Sequence, residues 1–227
     1  VGSEMCIRDS LCMHGLTRNS KDFNELAEYL SDEFFVITVD QRGRGGSSYI
    51  EDHQKYTPKT YISDMHELIQ SFDFKECYLI GTSMGGFMAM TMSAMNSVLF
   101  PKIVLNDCGP EIHQVGIDKI STYLGKNESF ESIDEAVAIL KARHKSNFPL
   151  LTDTDWKRYC MNNLKINETN IHIEARVNWD TTNTPVGAPS GGFIPYLRIN
   201  SKIINTSTGL STFIDLLPHI NLIDNFH

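Results

Sequence analysis

The segment CYLIGTSMGG, residues 77–86, decides the fold of this 227-residue chain. A continuous apolar run of strand length, residues 77–81, leads into a serine that is flanked by glycines, and a Met-rich stretch with helical character follows from about 84 to 96. Uninterrupted apolar runs are typical of strands that are covered on both faces of a parallel sheet. The segment therefore predicts a strand, a sharp turn at Ser83 and a helix.

Further elements of the same kind lie on both sides of this segment. Apolar runs of strand length end at Met13 and occupy 34–39 and 102–106. Helices are predicted between them over 20–31 and from Pro58 onward. The expected apolar face of the second helix comprises Ile62, Met65, Leu68, Ile69 and Phe72. Strands that alternate with helices predict an α/β fold with a mostly parallel sheet and flanking helices.

The pattern changes after residue 110. Residues 116–125, 132–147 and 152–165 are predicted to be helical, with no strand between them, which indicates a helical cap inserted over the sheet. The side chains that could line an apolar pocket there are Tyr123, Trp156, Tyr159 and Met161. Ordinary packing within the cap is the alternative interpretation of these four residues.

The two ends of the chain differ from the middle. Residues 1–10 have no periodicity, and we expect them to be foreign to the domain or disordered. Residues 186–227 contain only four charged residues, and glutamate is absent after Glu174. This shift in composition predicts an aberrant tail, such as a reading-frame error would produce.

Composition excludes several classes of function. The formal net charge is -8 and there is no basic stripe, so nucleic acid and anionic membrane surfaces are unexpected partners. No apolar run has the roughly 18 residues that a transmembrane helix needs. The five cysteines form no C-x-x-C motif, which favours reduced thiols in a cytoplasmic protein over disulfides or a zinc site.

The strongest chemical signal is Gly81-Thr82-Ser83-Met84-Gly85, which matches the G-x-S-x-G nucleophile motif. A serine on a sharp turn from strand to helix projects its hydroxyl above the sheet, and the helix N-terminus favours developing negative charge. Acyl transfer also needs two backbone N–H donors for the oxyanion. The expected donors are the amides of Met84 and Leu16.

Two neighbouring loops are predicted to have structural roles and not catalytic ones. His14 follows the first strand, and we expect it to shape its loop rather than to act as the general base. The glycine-rich stretch DQRGRGGS at 40–47 does not open a helix, as a dinucleotide-binding loop must, so a structural turn is favoured over a phosphate site.

Four motifs in this order, HGLTRNSKDF, DQRGRGGS, GTSMGG and LNDCGPEI, resemble the α/β-hydrolase superfamily, in particular bacterial esterase- and lactonase-like members with a helical cap. The resemblance covers about residues 11–185. It implies a core over 11–109, entered at the family's third strand, a cap over 110–185 and truncation at both ends. It also implies a small-molecule ester or lactone as substrate, with no metal or organic cofactor.

The chain departs from the family pattern where the acid and the base are expected. Neither a G-x-x-S-D stretch for the acid nor a G-x-G-H stretch for the histidine is present. In some family members the acid follows the sixth strand, and Asp107 matches that position. His219 is the remaining candidate base, although Leu-Pro-His-Ile lacks the flanking glycines.

Three functions follow from these residues. The first is hydrolysis of small carboxylic esters or lactones through an acyl-enzyme on Ser83. The second is cleavage of a carbon–carbon bond in a ring-fission product, which uses the same serine turn. The third is a non-catalytic fragment or ligand-binding relic, because a serine without a base is a poor nucleophile. We expect weak labelling of this chain by a fluorophosphonate, or none.

Overall fold

The computed structural model describes residues 8–109, 118, 122, 129–146, 148–166, 171–173, 198–199, 212–215 and 220–221. Several expectations therefore lie outside the described residues. They concern residues 1–7, Tyr123, His219, most of the helix expected at 116–125 and most of the tail at 186–227. Residues 8–10, which the sequence predicts to be foreign to the domain or disordered, instead begin the first strand of the main sheet.

The described strands are β1 (Arg8–Met13), β2 (Phe34–Val39), β3 (Cys77–Thr82), β4 (Lys102–Asn106), β5 (Ser129–Phe130), β6 (Leu164–Ile166), β7 (Ile171–Ile173), β8 (Arg198–Ile199), β9 (Thr212–Asp215) and β10 (Ile220–Asn221). The described α-helices are α1 (Asn24–Leu30), α2 (Pro58–Gln70), α3 (Met84–Met95), α4 (Ile133–His144) and α5 (Asp153–Asn163). Short 3-10 turns occupy Ser20–Phe23 and His53–Lys55.

The main sheet has the order β2-β1-β3-β4, and these four strands are parallel. β9 joins the edge of β4 in antiparallel orientation, and β8 pairs with β10 separately. The chain leaves β1 toward β2 on one side and later enters β3 on the other side. The loops after β1 and β3 therefore diverge at the carboxyl ends of two adjacent strands, which is where open α/β sheets bind ligands. The predicted α/β class is confirmed.

The 3-10 turn Ser20–Phe23 and helix α2 each follow a residue whose side chain caps them, whereas α1 has no side-chain cap. The Asn19 side chain accepts a hydrogen bond from Lys21 N, and Thr57 Oγ1 accepts one from Thr60 N at the start of α2. The apolar face of α2 differs from the expectation in two residues, because Phe72 lies beyond the end of the helix and Tyr61 is buried alongside Met65 and Ile69. Tyr61 is buried because its hydroxyl accepts a hydrogen bond from a buried arginine, described below.

The Met-rich helix α3 is buried on most of its sides. Met88, Met92 and their neighbours pack against Leu79 of β3 and Ile103 of β4 in the largest apolar cluster. An apolar helix of this length fits the interior of an α/β layer, where it is covered by sheet and helix together. None of the helices in the described ranges combines the length and the apolar character that crossing a bilayer requires.

The cap has a small core of its own. α4 and α5 enclose an apolar cluster of Phe130, Ala136, Leu140, Cys160 and Leu164. Thr152 and Asp155 form a reciprocal capping box at the start of α5. The expectation that no strand separates the cap helices is wrong, because β5 precedes α4 and forms a three-stranded antiparallel sheet with β7 and β6. Strands of two or three residues are too short to show an alternating pattern.

Candidate active site

Ser83 occupies the turn between β3 and α3 in a strained backbone conformation. Its φ is 50° and its ψ is -113°, and a positive φ is uncommon for a residue with a side chain. The Ser83 amide donates to Asn106 O at 2.9 Å, and Ser83 O accepts from Gly86 N at 2.9 Å. These bonds anchor the turn to the end of β4, so the conformation is imposed by the surrounding backbone.

Three glycines allow this turn to form. A Cβ placed on Gly81 would lie 2.3 Å from Gly85 O, and one on Gly85 would lie 2.0 Å from Met13 O. A Cβ on Gly86 would lie 2.1 Å from Cys108 Sγ. Strand, turn and helix therefore approach one another more closely than any side chain permits, which explains the glycines on both sides of Ser83.

The loop after β1 borders the serine. A Cβ placed on Gly15 would lie 3.7 Å from Ser83 Cβ, so His14-Gly15-Leu16 runs directly beside the nucleophile candidate. The structure thus brings together the stretches that hold Leu16, Ser83 and Met84. Neither the Leu16 amide nor the Met84 amide has a hydrogen-bond acceptor among the described residues. Two amides without an acceptor beside a serine can supply the two N–H donors that an oxyanion hole needs.

His14 holds two loops together, as the sequence predicts. Its Nδ1–H donates to Gly15 O at 2.7 Å, and its Nε2 accepts from Gln41 N at 3.0 Å. The Gln41 side chain donates in return to His14 O at 3.0 Å. Burial lowers the pKa of His14 to about 4, so the ring is neutral and both nitrogens are occupied. This histidine is therefore not available to take a proton from Ser83.

Arg44 is a buried cation behind the same loop, and sequence analysis missed it. Its Nε donates to Leu16 O at 2.8 Å, and its Nη1 donates to Arg42 O and to Tyr61 Oη, both at 2.7 Å. The guanidinium carbon lies 4.8 Å from the centre of the Tyr61 ring. Arg44 thus fixes the carbonyl of Leu16 and places a positive charge behind the predicted oxyanion site. An arginine in a glycine-rich turn resembles a surface charge, so only the pairing with Tyr61 could have indicated its burial.

The DQRGRGGS stretch is a closed turn, in agreement with the structural interpretation. The Asp40 carboxylate accepts from Ser20 N at 2.7 Å and from Gly46 N at 2.8 Å. These backbone hydrogen bonds hold the pKa of Asp40 below its usual value despite partial burial. Gly45 has a φ of 51° beside that carboxylate, and a Cβ there would overlap it. The amides of this loop therefore serve Asp40 rather than a phosphate.

Asp107 lies directly after β4, one residue beyond the carbonyl that anchors Ser83. Its φ is 53°, and desolvation raises the pKa of its carboxyl. No described side chain donates a hydrogen bond to this carboxylate. The neighbouring Cys108 is a second residue that sequence analysis did not place at the turn, where burial raises the pKa of its thiol to about 12. A thiol with so high a pKa is not a nucleophile at neutral pH.

No catalytic base is evident in the described part of the site. Ser83 Oγ makes no hydrogen bond to a histidine among the described side chains. His66 lies in α2, with its ring centre 6.1 Å from that of Phe100. His219, the candidate from the sequence, lies outside the described residues. The described site therefore contains a nucleophile candidate and two candidate oxyanion donors.

The cap approaches the site through one of the expected pocket residues. Trp156 has no exposed surface and packs inside the cap, whereas Met161 is 45% exposed. Tyr159 instead faces Arg18, whose guanidinium carbon lies 4.0 Å from the centre of its ring. Packing within the cap therefore explains Trp156, and Tyr159 alone of the described candidates contacts the loop beside Ser83.

The described ranges contain no candidate metal-binding site. Over these residues, no group of three or more His, Cys, Asp or Glu side chains lies close enough to hold a metal ion. A family model described as an Fe2+ transport protein matches residues 145–227, most of which lie outside the described ranges.

The parallel sheet and the serine turn are those of the α/β-hydrolase fold, and comparison with known proteins agrees. A family model described as the alpha/beta hydrolase fold matches residues 11–113. A crystal structure of an alpha/beta hydrolase from Novosphingobium aromaticivorans superimposes with a TM-score of 0.76 and 31% identity, covering 82% of this chain and 66% of that one. The chain belongs to the α/β-hydrolase superfamily.

Two curated relatives are similar at the sequence level. A 3-hydroxybutyrate-oligomer hydrolase from Cupriavidus necator is 33% identical over 65% of this chain and 50% of its own length. A 2-(acetamidomethylene)succinate hydrolase from Mesorhizobium japonicum is 33% identical over 59% of this chain and 48% of its own length. The chain thus spans about half the length of these relatives.

Proposed function

We propose that this chain belongs to a serine hydrolase that cleaves small carboxylic esters or lactones through an acyl-enzyme on Ser83. The observation that carries the proposal is the strained Ser83 at the N-terminus of α3, with the Leu16 and Met84 amides beside it. Ser83 Oγ attacks the carbonyl carbon, and the two amides bind the oxygen as it becomes negative. The serine proton passes to the leaving oxygen, which departs as the alcohol, and water then hydrolyses the acyl-serine to release the acid and restore the hydroxyl.

The names of the relatives support an ester substrate. One relative is named for an oligomer of 3-hydroxybutyrate, and hydroxy-acid units join through ester bonds. The preorganised amides favour any reaction that forms an oxyanion at a carbonyl. This chemistry includes lactones, whose ring opening proceeds through the same tetrahedral intermediate. We accordingly propose a small-molecule ester or lactone as the substrate. The proposed location of the reaction is the cytoplasm.

A second candidate function is ligand binding without turnover. It is favoured by one observation, which is that no described histidine is bonded to the Ser83 hydroxyl. An oxyanion site without a complete proton relay retains only about three to four orders of magnitude of rate enhancement over water. The full hydrolase and this chain can therefore differ in rate while they share the same binding site.

The test is hydrolysis of p-nitrophenyl butyrate and of a six-membered lactone by the full chain and by Ser83→Ala. We expect turnover of at least one substrate that Ser83→Ala abolishes, while circular dichroism and the melting temperature stay the same. Ester binding by both proteins, with no turnover by either, would instead assign the ligand-binding function. Turnover that survives Ser83→Ala would contradict both candidates.

A further inference from the structure

Arg18 leads from the loop beside Ser83 to the cap. Its amide donates to Gly15 O at 3.1 Å, which closes a turn directly after the Leu16 position. A Cβ placed on Gly15 would lie 3.5 Å from Arg18 Cγ and 3.7 Å from Ser83 Cβ. The stem of Arg18 and the serine therefore both border the space in front of Gly15.

The guanidinium of Arg18 is held in place by two neighbours. Its Nε and Nη2 donate to the two carboxylate oxygens of Asp22, both at 2.6 Å. Its flat face lies over the Tyr159 ring of α5, at 4.0 Å from the ring centre. The adjacent Asn19 Nδ2 donates to Asn162 O at 2.7 Å, which fixes the backbone of this loop against the cap. The side chain is thus ordered before any ligand arrives, yet 21% of it is exposed to solvent.

One edge of this guanidinium has no partner among the described residues. An arginine carries five N–H groups, arranged as a side fork of Nε and Nη2 and an end fork of Nη1 and Nη2. Asp22 occupies the side fork. No described acceptor bonds to Nη1, so the described residues leave the end fork available. Its two parallel N–H groups match the spacing of a carboxylate.

We propose that the end fork of Arg18 binds a free carboxylate of the substrate, so that the preferred esters are anionic ones. This inference rests on the proposed function of Ser83 and deepens it by naming the substrate class. Asp22 and Tyr159 orient the fork, and the stem that carries it borders the same space as Ser83. A hydrogen bond to a charged group contributes enough to change affinity by roughly 10- to 100-fold.

A purely structural role for Arg18 makes a different prediction, because losing a cap contact weakens every substrate alike. The linear dimer of 3-hydroxybutyrate, which carries a free carboxylate, and its methyl ester, which does not, separate the two roles. In Arg18→Met we expect KM for the dimer to rise roughly 10- to 100-fold. KM for the methyl ester should change less than about threefold. Equal losses for both esters would overturn the proposal.

A matched control is available on the cap. Arg158 also joins cap to core, through Glu25, and it pairs with Asp155 on its own helix. Arg158→Met should leave the ratio of KM values for the two esters unchanged. Arg18→Lys keeps the charge without the fork, and it should give an intermediate ratio; it also serves if Arg18→Met fails to fold.

A binding experiment separates this inference from the proposed function. Saturation-transfer NMR with full-length Ser83→Ala measures the affinity for 3-hydroxybutyrate and for its methyl ester without turnover. Tighter binding of the anion, lost when Arg18→Met is added, supports the carboxylate site even if the chain hydrolyses nothing. Equal binding of the two ligands overturns it, even if Ser83 proves to be catalytic.

Discussion

The serine turn and the contact between core and cap are built in opposite ways. Around Ser83 the backbones of β1, β3 and α3 approach so closely that Gly81 and Gly85 admit no Cβ, and Gly86 lies against the Cys108 thiol. The cap instead rests on the core through polar side chains, such as Asn19 and the Glu25–Arg158 ion pair. Steric exclusion fixes a geometry rigidly, whereas exposed polar contacts are weak and exchangeable. The turn at Ser83 therefore tolerates little change, whereas the exposed ion pair between core and cap can be altered at small cost.

The largest effect is expected at Gly85. An alanine there would bring Cβ within 2.0 Å of Met13 O, so β1 and α3 would have to separate. We expect Gly85→Ala to lower the free energy of unfolding by more than about 3 kcal/mol, as measured by urea denaturation. Gly109→Ala is the control, because nothing lies within 4 Å of a Cβ at that position. Similar losses in the two variants would refute the steric account of the turn.

An effect of intermediate size is expected from His14. Its pKa in the folded chain is about 4, below the ordinary value of 6.5, so the unfolded chain binds the proton more readily between these pH values. The stability that His14 contributes is therefore complete above pH 6.5 and is lost as the pH falls toward 4. The loss should be on the order of 3 kcal/mol.

Urea denaturation at a series of pH values checks this effect. His14→Gln, which keeps an acceptor for the Gln41 amide, should flatten the dependence of stability on pH in this range. His144→Gln on α4 is the matched control and should retain the slope of the unmodified chain. An unchanged slope in His14→Gln would show that His14 is not the buried neutral histidine described above.

The smallest effect is expected at the ion pair between Glu25 and Arg158. Both side chains are substantially exposed, at 70% and 48%, and pairs of this kind contribute about 1 kcal/mol or less. A double-mutant cycle with Glu25→Gln and Arg158→Met should give a coupling energy in this range, reduced further by salt. A coupling energy of several kcal/mol would mean that the cap is attached as firmly as the core is packed.

The sequence predicts the core of the fold well, because its signals are local. The strands at 34–39 and 102–106 have the predicted bounds, and α3 begins at Met84 directly after the serine. An apolar run, or a capping residue followed by a helix, can be recognised within one short segment of the sequence. The turn at Ser83 was predictable for the same reason, since its glycines stand in one five-residue motif.

The features that sequence analysis missed depend on contacts between distant segments. Arg44 is buried only because Leu16 and Tyr61 supply its acceptors, and these residues lie 28 and 17 positions away. Arg18 becomes a candidate ligand-binding residue through Tyr159, which belongs to the cap. The roles of Leu16, Met84 and Asp107 remain predictions, as does that of His219, which lies outside the described residues.

The most direct test of the central claim is the reaction of the full chain with a fluorophosphonate, followed by mass spectrometry to locate the label. We expect Ser83 to be labelled slowly but selectively over every other serine, and the label to be absent in Ser83→Ala. Slow reaction is expected because the described site supplies oxyanion donors without a bonded base. A label on another residue that persists in Ser83→Ala, with none at Ser83, would contradict the assignment of Ser83 as the nucleophile.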